Sequence, residues 1–358
     1  MKNLETNLNP IELSKNPEEC KRFLIALKIM ENYSIYSRWQ IDKMNYDYSN
    51  LDKKFLNKMT YDYKIRVKLL ENAINNNQLF LNEIVKKYKP THSFYENYNQ
   101  KEICDFAYNE FSNLNYEVFR HIIREWTLNG KEERDTNYIP IIENVKKYIS
   151  PHSKILIPGA GLLRLGYELA KIGYNIDAND NIFLNVILCD YLFNYSKMNQ
   201  LLFQPLIRSF RNYLTEDEVF TKFSFPDENI NLDGKGKITM LGGDFIKLYK
   251  DKNSIYDCVI TCFFIDRVNN VFEYIDIIEK VLKKGGIWIN FGPLRFQFTC
   301  YQNIPIIQLP YDKLKEVIIK FGFEFIHEEK NKTVIYCGIK NYMKNDVFNC
   351  VFFTVRKK

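Results

Sequence analysis

The sequence predicts an α/β protein in which a mostly parallel sheet follows an all-helical N-terminal region. Three observations support this prediction. Residues 154–180 read as a strand, a glycine turn, a helix and a second strand. Residues 256–265 form an unbroken apolar run, which is typical of a central strand in a parallel sheet. Before residue 149, apolar residues recur mostly at the three- and four-residue spacing of helices.

The unit at 154–180 carries the clearest functional signal. Its first strand ends at Pro158, and Gly159 and Gly161 follow. Glycines adopt backbone angles closed to other residues and let a ligand approach the main chain, while the free N–H groups of a helix start face that ligand. Asp180 ends the second strand, where a carboxylate can accept hydrogen bonds from ribose hydroxyls. The unit therefore predicts an adenosine-type cofactor.

The identity of the cofactor depends on one position. Arg164 stands where the dinucleotide pattern G-x-G-x-x-G/A has its third glycine or an alanine. Nothing else in the unit is specialised to hold a pyrophosphate. The sequence thus favours S-adenosylmethionine (SAM), and a nicotinamide dehydrogenase remains as an alternative from another enzyme class.

Two later strand ends supply candidate ligand contacts. A strand at 238–241 leads to Asp244 and Phe245, which we expect to accept from the exocyclic amine of adenine and to pack on its ring. Asp244 also suits the N-cap of a following helix. The apolar run 256–265 ends at Asp266, at the sheet edge where ligands bind in open parallel sheets. Asp266 is therefore the candidate substrate-facing carboxylate.

The segment 102–148 is expected to contribute to the cofactor site. Arg120, His121 and Arg124 fall within about one helical turn. Arg124 either pairs with Glu125 at the surface, where an ion pair contributes little, or reaches the carboxylate of a bound cofactor as a bidentate donor. Residues 132–135 are expected to form a charged helical face that covers the sheet domain.

Other segments complete the predicted organisation. Residues 1–17 are polar and are expected to be frayed. A first domain at 1–149 is predicted to be helical, and a second at 150–358 to hold the sheet, with insertions near 198–236 and 293–310. The insertion from Leu201 to Phe225 is expected to lie over the site. Further helices are predicted at 23–30, 51–70, 74–88, 182–193, 271–282 and 311–321, and strands at 287–291, 323–327 and 350–355, the last ones forming an antiparallel pair at one edge.

Composition narrows the functional class. The 358 residues are 46% hydrophobic, yet no apolar run approaches the roughly 18 residues of a membrane helix, and no signal peptide follows Met1. A protein of the cytoplasm, or also of the nucleus, is expected, without a membrane partner. The net charge of +6 comes from scattered lysines, so no nucleic-acid partner is expected. Eight cysteines without a C-x-x-C pair and four dispersed histidines predict no metal site.

Several motifs, in order along residues 102–358, resemble those of the carnosine N-methyltransferase family. They are IIREW with GKEERD, ILIPGAGLLRLGYELA, GDFIKLY, DCVITCFFID, YIDIIEKVLKKGGIWINFGPL and CVFFTVRKK. The resemblance implies a Rossmann-like, seven-stranded class I SAM-dependent methyltransferase sheet with an added N-terminal helical region.

The resemblance also implies roles for individual residues. Cofactor contacts would fall on His121, Arg124, Gly159, Gly161, Asp180, Asp244, Phe245 and Cys262. His121 stands where the family more often has Gln, and Asp180 where it more often has Glu. Asp266 matches a substrate-binding Asp, and Gln297 replaces a substrate-binding histidine. The family's C-terminal tyrosines are replaced around Asp346, Val347 and Phe348, of which Phe348 is kept as a substrate-binding candidate.

The expected reaction is methyl transfer to an imidazole ring nitrogen of carnosine or a related histidine-containing dipeptide. Asp266 would accept the imidazole N–H, which fixes the tautomer and makes the opposite nitrogen the better nucleophile. Gln297 would hold the substrate carboxylate or amide. A histidine within a peptide or protein is an alternative acceptor, and a SAM-binding interaction protein without turnover is a more remote alternative. A homodimer is left open.

Overall fold

The computed structural model describes residues 3–89, 97–113, 117–296 and 306–358. Within these ranges the N-terminal region is built of helices joined by short connections. They are α1 Pro10–Ser14, α2 Pro17–Glu31, α3 Tyr33–Ser49, α4 Lys53–Leu56, α5 Tyr63–Tyr88, α6 Gln100–Asn113, α7 Phe119–Trp126 and α8 Lys131–Tyr148. A single 3₁₀ turn, Leu128–Gly130, connects α7 to α8.

Two aspartate N-caps set helix boundaries that differ from those predicted from the sequence. The Asp52 side chain accepts from Lys54 N at 2.9 Å, and the Asp62 side chain accepts from Lys64 N at 2.8 Å. Each satisfies a free N–H of a helix start. The predicted division into helices at 51–70 and 74–88 is therefore wrong: α4 is a single turn, and α5 runs unbroken from Tyr63 through 74–88. Helix α3 was not predicted.

The predicted seven-stranded, mostly parallel sheet is confirmed. Its strands are β2 Lys154–Pro158, β3 Asn175–Asp180, β6 Ile238–Gly242, β7 Tyr256–Cys262, β8 Leu282–Gly292, β9 Phe323–Tyr336 and β10 Asp346–Lys357. Their spatial order is β6-β3-β2-β7-β8-β10-β9. All neighbouring strands are parallel except β10, which is antiparallel to both β8 and β9, as expected for the edge pair.

An eighth strand comes from the segment that was expected to be frayed. Strand β1, Glu5–Thr6, pairs in parallel with β6 at the other edge of the sheet. The Asn7 side chain accepts from Gly242 N at 2.8 Å and donates to Gly242 O at 2.9 Å. Leu4 and Leu8 on either side are buried. Two buried leucines and an amide that bonds the sheet edge hold this segment in place.

The remaining elements pack on the two faces of the sheet or form the first insertion. They are α9 Arg164–Lys171, α10 Phe183–Tyr195, α11 Glu216–Val219, α12 Phe245–Tyr249, α13 Val271–Val281, α14 Tyr311–Lys320, β4 Leu201–Phe203 and β5 Phe223–Phe225. Within the described ranges, no helix is both long and apolar enough to cross a membrane.

The insertion near 198–236 packs beside the N-terminal helices. Strands β4 and β5 pair antiparallel, and the rings of Phe203 and Phe225 lie 5.9 and 5.8 Å from that of Phe80 in α5. Phe203 also packs on Phe119 of α7, 5.5 Å away. These aromatic contacts direct the insertion toward the helices. The expectation that it lies over the site is not met, because none of its described residues lines the cavity at the carboxyl ends of β3, β6 and β7. The proposed domain limits at 149 and 150 stay a prediction.

The order of the strands fixes the place of the site. Strand β2 is central, with β3 on one side and β7 on the other. The carboxyl ends of β2, β3, β6 and β7 therefore meet along one edge of the sheet. The connection after β2 leads to β3 on one side, and the connection after β7 leads to β8 on the other side. Ligands of open parallel sheets bind between two such connections.

Candidate functional site

One cavity opens at this edge of the sheet. Its wall comes from α7 and α8, the glycine turn, the ends of β3, β6, β7 and β9, and the start of α13. All eight residues expected to contact the cofactor line it: His121, Arg124, Gly159, Gly161, Asp180, Asp244, Phe245 and Cys262. The fold thus brings these eight positions, spread over more than a hundred residues of sequence, to a single place.

The glycine turn has the backbone that its sequence predicts. Gly159 and Gly161 have φ angles of 62° and 56°, in the left-handed region that favours glycine. A Cβ atom on Gly159 would lie only 2.2 Å from the ring of Phe264, whereas one on Gly161 would meet nothing within 4 Å. The backbone at Gly159 is therefore in close contact with the Phe264 ring, whereas the space beside Gly161 is open.

Asp180 closes the turn from the end of β3. Its Oδ2 accepts from Gly161 N at 2.9 Å, and its Oδ1 accepts from Ile182 N at 2.8 Å. Burial raises the pKa of Asp180 to about 6, although the two backbone N–H groups act in the opposite direction. The carboxylate thus faces the cavity in a place where its ionisation is costly.

Asp244 and Phe245 begin α12 on the opposite wall. The Asp244 side chain accepts from Lys247 N at 3.0 Å, which confirms the predicted N-cap. The Phe245 ring packs edge-on against Tyr274 and Phe264, with centroids 5.2 and 5.5 Å apart. An aromatic wall with a carboxylate at its rim can hold a flat, amine-bearing ring.

Arg124 belongs to a buried ion pair. Its Nε donates to Glu125 Oε1 at 2.6 Å, and the side chains of the two residues are 12% and 2% exposed. The Tyr138 hydroxyl lies 2.7 and 2.8 Å from the two Glu125 oxygens. The alternative of a surface ion pair is therefore wrong. Glu125 and Tyr138 instead fix the direction of a guanidinium that lines the cavity.

His121 occupies the same wall as a neutral imidazole. Burial and the neighbouring guanidinium groups of Arg124, Arg267 and Arg120 lower the pKa of His121 well below its usual value. Its Nε2 lies 3.2 Å from the Tyr336 hydroxyl. Its Nδ1 is buried without a hydrogen-bond partner among the described residues.

A buried charge cluster holds the end of α7. Arg134 NH1 donates to the carbonyl oxygens of Arg124 and Thr127, both at 2.7 Å, and Arg164 NH1 donates to Glu125 O at 3.0 Å. Both guanidiniums also bind Asp227, at 2.6 and 2.7 Å. Carbonyl groups at a helix C-terminus need such donors. Asp227, Arg134 and Arg164 therefore position the turn that carries Arg124.

Residues 132–135, which were predicted to form a charged helical face covering the sheet domain, divide between buried and more exposed positions. Arg134 is buried in the cluster just described. The two carboxylate oxygens of Glu133 accept from Cys337 N and Gly338 N, at 2.7 and 2.9 Å. Arg120 NH2 donates to Cys337 O at 2.7 Å. These bonds tie the chain after β9 to α7 and α8.

The substrate-side candidates lie next to the cavity. Asp266 is 1% exposed, and its Oδ2 accepts from Arg295 N at 2.8 Å. Its Oδ1 is buried without a hydrogen-bond partner among the described residues. Burial raises the pKa of Asp266, while the N–H and the guanidinium of Arg295 lower it. Asp266 does not itself line the cavity.

Phe348 and Arg295 extend this side of the site. The Arg295 guanidinium lies 5.5 Å from the ring centre of Tyr336 and 5.0 Å from that of Phe348. Tyr336 and Phe348 pack edge-on at 5.9 Å. Gln297, the other predicted substrate contact, lies outside the described residues.

Several cavity residues were not assigned a role from the sequence. They include Asn137 and Tyr138 of α8, Phe263 and Phe264 after β7, Tyr274 of α13 and Tyr336 at the end of β9. Phe263, Phe264 and Tyr274 lie within motifs of the family resemblance, but no role was assigned to them, and Asn137, Tyr138 and Tyr336 lie outside those motifs.

The cavity wall fits an adenosine cofactor with a charged amino-acid end. Four buried side-chain atoms of wall residues lack a hydrogen-bond partner within the described ranges: His121 Nδ1, Asn137 Oδ1, Asn179 Oδ1 and Asn185 Oδ1. Buried polar atoms are normally hydrogen-bonded, so these atoms indicate a ligand or water. Arg124 offers a donor to a carboxylate, Asp180 an acceptor to ribose hydroxyls, and Asp244 an acceptor to an amine.

Comparisons with known proteins point to one family. A carnosine N-methyltransferase family model matches residues 105–358. The chain is 35% identical over 248 residues to carnosine N-methyltransferase of Mus musculus, a match that covers 67% of this chain and 62% of the mouse protein. It is 29% identical over 363 residues to that of Dictyostelium discoideum, which covers 94% and 76% of the two chains. The matched region thus spans less than two thirds of the mouse relative's length.

Solved structures show a more distant likeness. The crystal structure of magnesium protoporphyrin IX methyltransferase from Synechocystis is 12% identical, with a TM-score of 0.44. The similarity covers 70% of this chain and 97% of that one.

Proposed function

The chain belongs to the carnosine N-methyltransferase family, and on that basis we propose that it methylates an imidazole ring nitrogen of carnosine or a related histidine-containing dipeptide, with SAM as methyl donor. The observation that carries the proposal is the convergence of Arg124, Asp180 and Asp244 on one cavity. These three groups match the carboxylate, the ribose and the adenine amine of SAM.

The cofactor side of the proposal assigns a role to each of these groups. Arg124, oriented by Glu125, holds the carboxylate of the cofactor, and Asp180 accepts from its ribose hydroxyls. Asp244 and Phe245 bind the adenine by a hydrogen bond and by ring packing. Bound in this way, SAM supplies a methyl group on a sulfonium, which is an electrophile that a neutral imidazole nitrogen can attack.

The substrate side centres on Asp266. Its Oδ1 is buried without a hydrogen-bond partner among the described residues, so we assign it as the acceptor for the N–H of an imidazole, while Oδ2 stays bonded to Arg295 N. An imidazole held by its N–H presents the opposite nitrogen, which carries the lone pair. Tyr336 and Phe348 supply flat surfaces beside it. Alignment of donor and acceptor contributes most to such a transfer, because no proton has to be removed in the methyl-transfer step itself.

One sequence observation favours a second acceptor. Gln297 and Phe348 stand where the family resemblance places a histidine and a tyrosine. A histidine within a peptide or protein is therefore the second candidate. Arg164, which argued against a nicotinamide dinucleotide, is engaged with Asp227 and gives that alternative no support. We further propose a cytoplasmic or nuclear location and leave a homodimer open, to be tested by cell fractionation and by sedimentation.

The first test is calorimetric titration of the purified protein with SAM, followed by transfer from radiolabelled SAM to carnosine. We expect binding and label on the imidazole ring, located by product mass spectrometry. Binding without labelled carnosine would reject the dipeptide and direct the assay to histidine peptides.

The role of Asp266 needs its own variant. Asp266→Asn keeps the shape but loses the charge, and we expect a lower kcat or a higher KM for carnosine with SAM affinity unchanged. Asp251→Asn, an exposed aspartate outside the cavity, is the control. If kcat and KM of Asp266→Asn both equal those of the wild type, the assignment of Asp266 is wrong.

A further inference from the structure

A second cavity lies on the other side of α7. Four separate parts of the chain line it: α3, α7, the insertion from Pro205 to Tyr213, and the connection between β9 and β10. The cavity volume is about 460 Å³, which is in the range of small-molecule sites in proteins. It shares no lining residue with the cavity at the sheet edge. Helix α7 contributes Arg120 to this second cavity and His121 to the cavity at the sheet edge.

Specific contacts between the insertion and the β9–β10 connection build this cavity. Met343 N donates to Asn212 O at 2.9 Å. The rings of Tyr213 and Tyr342 pack with their centres 4.8 Å apart, and the Tyr213 hydroxyl donates to Leu206 O at 3.3 Å. The walls are thus held by bonds between segments more than a hundred residues apart in sequence.

Positive charge dominates the lining. Four cationic side chains, Arg120, Arg208, Arg211 and Lys344, surround the cavity, and Asp346 is its one lining carboxylate among the described residues. We call this site, defined by these four cations, the basic cavity. Arg120 NH1 lies 3.8 Å from Asp346 Oδ2. Within the described part of the chain, neither Arg211 nor Lys344 forms an ion pair, and both are exposed.

We propose that the basic cavity binds a multiply charged oxyanion, at a site distinct from the site of methyl transfer. Guanidinium groups bind phosphate and carboxylate groups through parallel N–H bonds, and three of them converge here. Like charges brought together at one concave surface repel each other, and an anion relieves that repulsion. The oxyanion is a phosphate or a carboxylate, and the two are separated by the choice of probe. This inference does not depend on the proposed reaction.

The test is calorimetric titration with inorganic pyrophosphate and, separately, with citrate, at constant low ionic strength set with potassium chloride. The wild-type protein is compared with Arg211→Ala/Lys344→Ala, which removes two exposed cations of the basic cavity. The control is Lys284→Ala/Arg356→Ala, which removes two exposed cations elsewhere.

We expect the wild type and the control to bind with the same dissociation constant and the double variant to bind about tenfold more weakly or worse, since each lost charge-assisted bond is costly. Binding of pyrophosphate alone would identify a phosphate site, and binding of citrate alone a carboxylate site. The proposal is overturned if neither anion binds the wild type, or if the double variant binds as tightly as the control. An unchanged thermal midpoint and unchanged SAM affinity will show that the variant is folded.

Discussion

Trp126 donates its indole N–H to the backbone carbonyl of Leu162 at 2.8 Å. Trp126 ends α7, and Leu162 lies in the glycine turn after β2. The indole is fully buried and packs on Tyr167 and Phe193, with both ring centres 5.6 Å away. This bond therefore connects the helix that carries Arg124 to the turn that carries Gly159.

Replacing that indole tests the connection. Trp126→Phe leaves the Leu162 carbonyl buried without its donor, so we expect a loss of about 1–3 kcal/mol in the free energy of unfolding, measured with urea. Trp39→Phe, at a position that is 52% exposed, should change the free energy by less than about 0.5 kcal/mol. Equal midpoints and slopes for both variants would show that the bond contributes nothing.

Arg124→Lys tests the proposed carboxylate contact. Lysine keeps the charge beside buried Glu125 but loses the planar fork, so the SAM dissociation constant should rise by about tenfold or more while the melting temperature changes little. Arg38→Lys, an exposed arginine on α3, is the matched control. An unchanged dissociation constant in Arg124→Lys would remove Arg124 from the cofactor site.

The pH dependence of SAM binding should follow Asp180. Burial raises the pKa of Asp180 from the usual 3.8 to about 6, so the carboxylate proposed to accept from ribose is lost as the pH falls through 6. The SAM dissociation constant should then rise about tenfold for each further pH unit below 6. Calorimetry between pH 5 and 8 measures this, and Asp180→Asn should bind weakly with a flat profile. A flat profile in the wild type contradicts the assignment.

The same shift has a consequence for folding. Because the folded-state pKa of Asp180 lies above its unfolded value, its contribution to stability is present in full below about pH 4 and is lost as the pH rises through about 6. A shift of this size corresponds to about 3 kcal/mol. Asp180→Asn should therefore unfold at higher urea concentration than the wild type at pH 7, and the difference should disappear at pH 4.

The two glycines of the turn form a matched pair. Alanine at either position has to adopt a left-handed backbone, which costs about 1–2 kcal/mol. Only at Gly159 does the added methyl also meet the ring of Phe264, which stacks on Tyr274 at 4.8 Å. Gly159→Ala should thus lose more stability in urea than Gly161→Ala, by about 1–3 kcal/mol. Equal losses would show that Phe264 moves aside freely.

Asp227→Asn tests the buried charge cluster. Arg164 keeps Glu168 and Glu228 as partners, but Asp227 is the carboxylate bound to Arg134 within the described residues. Leaving a buried cation without its counter-ion should reduce the free energy of unfolding by about 3 kcal/mol, measured with urea. Asp251→Asn at the surface should have a negligible effect. A loss below about 1 kcal/mol in Asp227→Asn would show that the carbonyl groups of α7 alone satisfy Arg134.

Local signals predicted the half of the site that comes from the strand ends. Gly159, Asp180 and Asp244 each lie at the end of a strand or within two residues of it, so the strand pattern alone places them at one edge. Tyr138 and Tyr336 could not be found in this way, because α8 and the long β9 reach the cavity only after the sheet has formed. Nothing in the spacing of Tyr138 and Tyr336 along the sequence indicates that they contact a ligand.

Arg164 illustrates the limit of reading motifs one at a time. From the sequence, Arg164 was interpreted only as the absence of the third glycine of the dinucleotide pattern. In the structure it donates to Asp227, which lies 63 positions further along the chain, and to the end of α7. A residue whose partners come from an insertion and from a helix before the sheet cannot be assigned from its own motif. The helix boundaries predicted within 51–88 were wrong for a related reason. Apolar residues are spread evenly over this range, and the helix starts are set by the N-caps Asp52 and Asp62.

The bonds between Asn7 and Gly242 connect residues 235 positions apart. During synthesis, the segment that forms β1 leaves the ribosome before the segment that forms β6, and it has no partner strand until β6 has been made. The edge of β6 that β1 covers in the folded protein would otherwise be open to pairing with other chains. The short strand β1 thus protects one side of the sheet against aggregation.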